Sequence, residues 1–206
     1  MSYTIAKEFW TKNSRYPNYP NTKQRRFIDI SFVMQHLGEC KSVMDIGCAD
    51  GYLLLVLREI TDIERFYAYD INSTLLEKLQ SRWDIDSILH AHTYDLSKKE
   101  DFPTTDLTLC MGLFPYIFKE DDINTILSNI KSDTLIVRAP CTMKDKDEYI
   151  NKFSDDLGCD YSSIYRTKDN YLGILGKFYN DIKMIKSYPD EIESKYGTKH
   201  YYFVCT

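Results

Sequence analysis

Glycine and proline are scarce, at 8 and 6 of 206 residues, which excludes collagen-like and low-complexity chains. No run approaches the roughly 18 apolar residues of a membrane span. The opening "MSYTIAKEFW" has no long apolar segment of the kind that directs secretion, so a cytoplasmic location is expected. Six cysteines (Cys40, Cys48, Cys110, Cys141, Cys159, Cys205) form no C-x-x-C pair and keep no metal-ligand spacing with the four histidines. Neither a metal site nor a disulfide framework is expected, and the thiols read as buried or free in a reducing compartment. A basic surplus is also missing. The 26 Lys and Arg face 31 Asp and Glu, a net charge of −5, which disfavours nucleic acid as a partner. What remains is 43% hydrophobic and 28% charged, enough for one domain around one sizeable core.

Repeats and linkers are absent. The segment "EFWTKNSRYPNYPN" mixes aromatics, prolines and turn formers; it is too aromatic for a solvated tail and too broken for a long helix. Phe27, Ile30, Met34 and Leu37, spaced 3, 4 and 3 apart, predict a helix stopped by Gly38. From Ser42 the chain alternates. "SVMDIG", "RFYAYDI", "SILHAHTYD", "DLTLCMG" and "DTLIVRAP" read as strands. "DGYLLLVLREI", "NSTLLEKLQSRW" (capped by Asn72 or Ser73) and "EDDINTILSNIK" read as helices, with a further helical stretch from about Lys144 to Phe153. A helix from Thr167 through Lys177 precedes "DIKMIKSYP" and "HYYFVCT", which lie too close for a crossover helix and so predict an antiparallel pair at the sheet edge. The alternation predicts an α/β fold, a mostly parallel sheet with helices on both faces.

Two of the few glycines, Gly47 and Gly51, stand four apart in "SVMDIGCADGYLLLVL", between a strand and a helix. Glycine serves where φ is positive or where a ligand leaves no room for a Cβ. A helix N-terminus there offers N–H groups to that ligand, and open parallel sheets bind ligands at the carboxyl ends of their strands. Asp70 ends the next strand, 19 residues after Gly51, where an acid can accept hydrogen bonds from ribose hydroxyls. A dinucleotide would call for G-x-G-x-x-G, and Asp45 and Asp50 would repel its pyrophosphate. A cationic ligand tolerates both acids.

"VMDIGCADG" followed by "YAYDI" resembles the class I S-adenosylmethionine-dependent methyltransferases. Ala49 stands at the middle glycine of their acid-x-Gly-x-Gly-x-Gly motif, and a negative φ there is expected to absorb its methyl. The resemblance covers most of the chain. It implies a three-layer Rossmann-like methyltransferase fold whose seven-stranded sheet runs 3-2-1-4-5-7-6 with an antiparallel last strand. Residues 39–206 would form the methyltransferase domain and residues 1–38 an aromatic, helical lid carrying Phe9, Trp10, Tyr16 and Tyr19. The implied cofactor is S-adenosyl-L-methionine, with S-adenosyl-L-homocysteine as product. Asp45 and the turn of Gly47, Cys48, Ala49 and Gly51 would hold its amino-acid end, and Asp70 its ribose. Ile71 would pack on the adenine, Asp95 would meet the adenine amino group with Leu96 nearby, and Met111 would complete the wall.

Methyl transfer from a sulfonium is an in-line displacement that asks for alignment and exclusion of water. A hydroxyl or a protonated amine as acceptor also asks for a base. In "MGLFPYIF", Phe114 and Tyr116 offer an aromatic wall beside the methyl. Leu113 and Phe114 replace the polar residue and first proline of the amino-directed motif, which argues against a nucleobase amine. His90 and His92 share a strand face. His92 with Asp95 is a candidate base and orienter; the alternative is a hydrogen-bonded rim. His200 reads as structural. Arg138, ending the fifth strand, is a candidate to hold an anionic acceptor group, or is an ion pair with a neighbouring acid. Lys23, Arg25 and Arg26 crowd a first helical turn, where the macrodipole disfavours cations, and so mark either an anion site or a solvated face. The catalytic candidates are thus Tyr116, His92 and Arg138. The expected function is methyl transfer to oxygen or nitrogen of a small metabolite, anionic ones included. The alternative is a protein or peptide methyltransferase with the same cofactor site. A non-catalytic or NAD-type Rossmann domain is a remoter reading.

Overall fold

The computed structural model describes residues 2–12, 21–83, 88–95, 101–154, 159–193 and 197–206. In chain order the elements are α1 (Ser2–Lys12), α2 (Thr22–Met34), β1 (Ser42–Ile46), α3 (Tyr52–Ile60), β2 (Arg65–Asp70), α4 (Ser73–Ser81), β3 (Leu89–Thr93) and β4 (Thr104–Met111). There follow α5 (Glu120–Asn129), β5 (Lys131–Thr142), β6 (Glu148–Ser154), β7 (Cys159–Tyr165), α6 (Lys168–Leu175), β8 (Ile182–Lys186) and β9 (Thr198–Cys205).

Seven strands form one sheet in the order β3-β2-β1-β4-β5-β9-β8, and only β9 runs against its neighbours. With the separate hairpin β6–β7 set aside, this is the 3-2-1-4-5-7-6 order expected from the resemblance. The central strand β1 is buried along its whole length, as a parallel strand covered on both faces must be. Alternation along the strands sorts the core into two layers. Met44, Ile46, Cys110, Val137 and Phe203 pack with Ile123 and Ile126 of α5 and with Tyr171 and Ile174 of α6. Val43, Phe66, Leu109, Ile136 and Val204 pack on the other face with residues of α2, α3 and α4, among them Phe32, Leu54, Leu57 and Leu79. Asn72 caps α4, its side chain accepting from the Leu75 N–H, and Thr167 caps α6 in the same way from Asn170.

Three expectations are corrected. The stretch from Lys144 to Phe153 is not helical. Glu148–Ser154 pairs with Cys159–Tyr165 as a two-stranded antiparallel hairpin inserted between β5 and α6. Its aromatics are exposed, Tyr149 by 68% and Phe153 by 58%, so no core draws that segment into a helix. Residues 2–12 form a helix after all, because the prolines at 17 and 20 lie beyond it. In α2 the helix stands but its expected apolar stripe does not: Phe27 is 72% exposed, and the buried positions are Asp29, Phe32 and Val33.

Arg166, between β7 and α6, ties the insertion to the sheet. It is 2% exposed, and its guanidinium donates to the carbonyls of Phe114 (3.0 Å) and Ile117 (2.6 Å). These carbonyls belong to the loop after β4, where Phe114–Tyr116 make a single 3₁₀ turn. A buried carbonyl stripped of its donor costs about 1–3 kcal/mol. Arg166→Ala should therefore destabilise the protein by about 3 kcal/mol or more in urea unfolding. It should also speed amide exchange at Tyr116 and Ile117 more than in the sheet.

Candidate functional site

A cavity of about 810 Å³ lies over the carboxyl ends of the central strands, within the range of small-ligand sites. Asp45, Asp70 and Met111, at or near the ends of β1, β2 and β4, line its floor with Arg138, which pairs with Met111 but lies within β5 rather than, as expected, at its end. Its roof comes from three places: Lys7 and Trp10 of α1, Arg25 and Arg26 at the start of α2, and Ile150, Lys152, Tyr161 and Tyr165 of the hairpin.

The turn after β1 is clasped by the end of β2. The Gly47 and Cys48 N–H groups donate to the Tyr69 carbonyl at 2.7 and 3.1 Å. The Asp70 carboxylate accepts from the Ala49 N–H at 2.8 Å and the Asn72 N–H at 2.9 Å. The expected bare backbone is thus satisfied within the protein. Glycine is needed here for shape: Gly47 has φ of 81°, and an added Cβ would lie 3.2 Å from the Leu113 side chain. Gly51, with φ of 65°, would place a Cβ 2.4 Å from Leu79 of α4. It packs a helix and does not line the cavity, which corrects its assignment to the ligand. Ala49 also departs from expectation, with a φ of 52°, a left-handed conformation that costs a non-glycine residue about 1–2 kcal/mol.

Asp45 is 3% exposed, and its Oδ1 has no hydrogen-bond partner among the described residues. Burial first, then the nearby Asp70 carboxylate, raises its pKa to about 7, against the opposing pull of Arg138. Burial also raises Asp70, opposed by the N–H groups it accepts. A buried carboxylate oxygen without a donor is costly, and the residue that carries it lines the cavity. A cationic or hydrogen-donating ligand would satisfy it.

The remaining sequence candidates divide. Cys48, Ile71 and Tyr116 line the same cavity. Asp95 does not: Lys7 of α1 takes its carboxylate at 2.6 Å. His92 is corrected as a base. It is exposed on the edge strand β3, its ring stacked 5.2 Å from Tyr69, and it lies off the cavity wall. Leu96, Tyr16 and Tyr19 lie outside the described residues. Arg138 lines the cavity as an ion pair with the buried Asp29, and donates as well to the Tyr188 hydroxyl (2.8 Å) and the Met111 carbonyl (2.9 Å). Arg25 donates twice to the Ile192 carbonyl (3.1 and 2.8 Å), and Arg26 lies 4.3 Å over the Tyr52 ring, so neither is a merely solvated cation.

Several cavity residues escaped the sequence. Asp29 of α2 accepts from Tyr188 (2.9 Å) and Tyr202 (2.6 Å); its sequence signal is an acid set among apolar neighbours in "FIDISF". Tyr116 stands at the centre of an aromatic wall. Its ring meets Trp10 edge-on at 4.8 Å, its hydroxyl lies 3.4 Å from that of Tyr161, and Tyr161 is 3.4 Å from Tyr165. His200 also lines the cavity, held by Glu193.

No protein-family profile and no curated protein matches the chain. Solved structures do. One from Leishmania major, described as a SAM-dependent methyltransferase, superposes with a TM-score of 0.72 at 11% identity, covering 98% of this chain and 82% of its own. DhpI in complex with S-adenosylhomocysteine gives 0.71 at 12% identity, covering 100% and 96%. The fold is that of S-adenosylmethionine-dependent methyltransferases. An O-methyltransferase from a trans-AT PKS multienzyme of Brevibacillus brevis, in complex with S-adenosyl-L-homocysteine, shares it at a TM-score of 0.65 and 13% identity, covering 89% of this chain and 72% of that one. Among the described residues, no helix is long and apolar enough to cross a membrane.

Asp45 leaves a mark on stability. The folded chain keeps its proton up to about pH 7, whereas an unfolded aspartate loses it near pH 4. Stability should therefore fall as pH rises through that window, by roughly 1.4 kcal/mol per unit. Urea unfolding of the ligand-free protein at pH 5 and pH 8 checks this, and Asp45→Asn should remove that part of the decline.

Proposed function

We propose that the chain is an S-adenosylmethionine-dependent methyltransferase that methylates an oxygen or nitrogen of a small acceptor. The observation that carries this reading is the pair of acids, Asp45 and Asp70, lining a cavity at the carboxyl ends of the strands in this fold. S-Adenosylmethionine, when bound, supplies a methyl group on a sulfonium, already a good leaving group. Asp45 would receive the cofactor's ammonium. Asp70 would receive its ribose; a carboxylate has about four acceptor sites, so the N–H groups of Ala49 and Asn72 do not exhaust it. Ile71 and Met111 would supply apolar contact. Tyr116 and Trp10 would wall off water and limit the approaches open to the acceptor.

The roof supports a small acceptor over a peptide. Helix α1 is tied down at both ends of the cavity's cofactor side, by Lys7 to Asp95 and by the Trp10 carbonyl to the Asn72 side chain at 2.6 Å. A peptide would have to displace it. The two acids Asp45 and Asp70 on one wall also support a cationic cofactor over a pyrophosphate.

Calorimetry of the full chain with S-adenosylmethionine and S-adenosylhomocysteine tests the reading. Binding should be tight at pH 8 and weaken as pH falls through about 7, because Asp45 gains its proton there. Asp45→Asn should bind about tenfold or more weakly at pH 8 and lose the pH dependence. Absence of binding to either compound by the unaltered protein would overturn it.

A further inference from the structure

We infer that His200, held by Glu193, is the base that takes the proton from the methyl acceptor, and that this acceptor is a phenolic hydroxyl. The inference rests on the methyltransferase reading above and adds the acceptor to it.

Of the four histidines in the chain, His200 alone lines the cavity. It projects from β9, opposite Pro140 of β5 and two residues beyond the Arg138–Tyr202 pair. That places it across β4 and β5 from the cofactor turn, on the acceptor side. Glu193 grips it twice: Oε1 accepts the His200 backbone N–H at 2.9 Å, and Oε2 lies 2.9 Å from Nδ1. The two side chains are 13% and 5% exposed. A carboxylate can only accept, so Nδ1 carries the hydrogen and Nε2 keeps its lone pair. No hydrogen bond engages Nε2 among the described residues.

The groups facing the ring set its charge. Burial lowers the His200 pKa; Arg138 of β5 and Arg25 of α2 add to that, while Glu193 opposes it. The Tyr188 ring covers it at 5.2 Å. The imidazole is therefore neutral at pH 7 and able to accept a proton.

Several other groups on the wall are committed or stay protonated. Asp29 and Arg138 neutralise each other. Burial pushes the Tyr165 and Tyr188 phenols up, so they stay protonated. An amine can attack through its free lone pair, but a hydroxyl must shed its proton as it attacks. An imidazole is better matched to a phenol, with pKa near 10, than to an aliphatic alcohol. The aromatic wall of Tyr116, Tyr161 and Tyr165 suits a planar ring. In the step, the phenol O–H bond breaks and an oxygen electron pair forms the new O–CH₃ bond. The S–CH₃ electron pair stays with sulfur, and the proton passes to Nε2, leaving an imidazolium paired with Glu193 that later releases it to water.

The test has two arms, both on the full chain. In ¹⁵N-histidine NMR with S-adenosylhomocysteine present, the His200 signal, assigned by its loss in His200→Gln, should show a neutral ring protonated on Nδ1 at pH 7. It should titrate below 6.5, and Glu193→Gln should redistribute the tautomers. A charged ring or an Nε2–H tautomer overturns the proposal. In the second arm, phenol, catechol and 4-nitrophenol are offered with S-adenosylmethionine. His200→Gln should lower kcat for phenol and catechol by roughly 10²- to 10⁴-fold, with cofactor affinity within about twofold of the unaltered protein. The loss should be far smaller for 4-nitrophenol, which is largely ionised already. An unchanged kcat overturns the base, and no turnover of any of the three by a protein that binds the cofactor overturns the phenol assignment. Failure to bind S-adenosylmethionine at all would instead fault the methyltransferase reading.

Discussion

The clasp between the first turn and the end of β2 is the constraint on which the site depends. Two N–H groups of the turn go to the Tyr69 carbonyl and a third to the Asp70 carboxylate. The same carboxylate takes the Asn72 N–H, at the cap of α4. One acid thus joins the turn, a strand end and a helix start. Parallel pairing brings Asp45 opposite Ala68, and the clasp holds the turn so that the Asp45 carboxylate remains buried beside the cavity without a donor of its own.

Around that fixed end the cavity is completed by parts of different character. The floor is built from strand ends of the main sheet. The roof is assembled from α1, the start of α2 and the hairpin, each attached by a few specific bonds: Lys7 to Asp95, Arg25 to the Ile192 carbonyl, Arg166 to the loop after β4. The buried group of Asp29, Arg138, Tyr188 and Tyr202 links α2 to β5, to β9 and to the segment after β8. A buried ion pair of this kind holds geometry more surely than it adds stability.

Much of the sheet was legible because parallel strands and their helices repeat a simple alternation of apolar runs and amphipathic turns. The end of the cavity at β1 and β2 was legible for a related reason: its acids and glycines follow one another closely in sequence. The end toward β9 and the hairpin was not. His200, Glu193, Tyr161 and Asp29 come from four separate stretches, and only the folded sheet brings them to one wall. The hairpin was missed because its inward face alternates Ile150 and Lys152 against Tyr161 and Tyr165, which has no contrast of apolar and polar. Glycine was over-read in the other direction. Gly51 answers to Leu79, so a need for room between the protein's own parts looked, in sequence, like room for a ligand, whereas Gly47 meets Leu113 and lines the cavity as well.

The hairpin forms a sheet of its own: among the described residues no strand ladder joins it to the main sheet, and Thr142 of β5 reaches it only through its side chain, which donates to Glu148 of β6. Its sequence is therefore free to drift in length and lining without disturbing the register of the seven strands beneath. Change confined there would reshape one wall of the cavity while the clasp between β1 and β2 stays as it is.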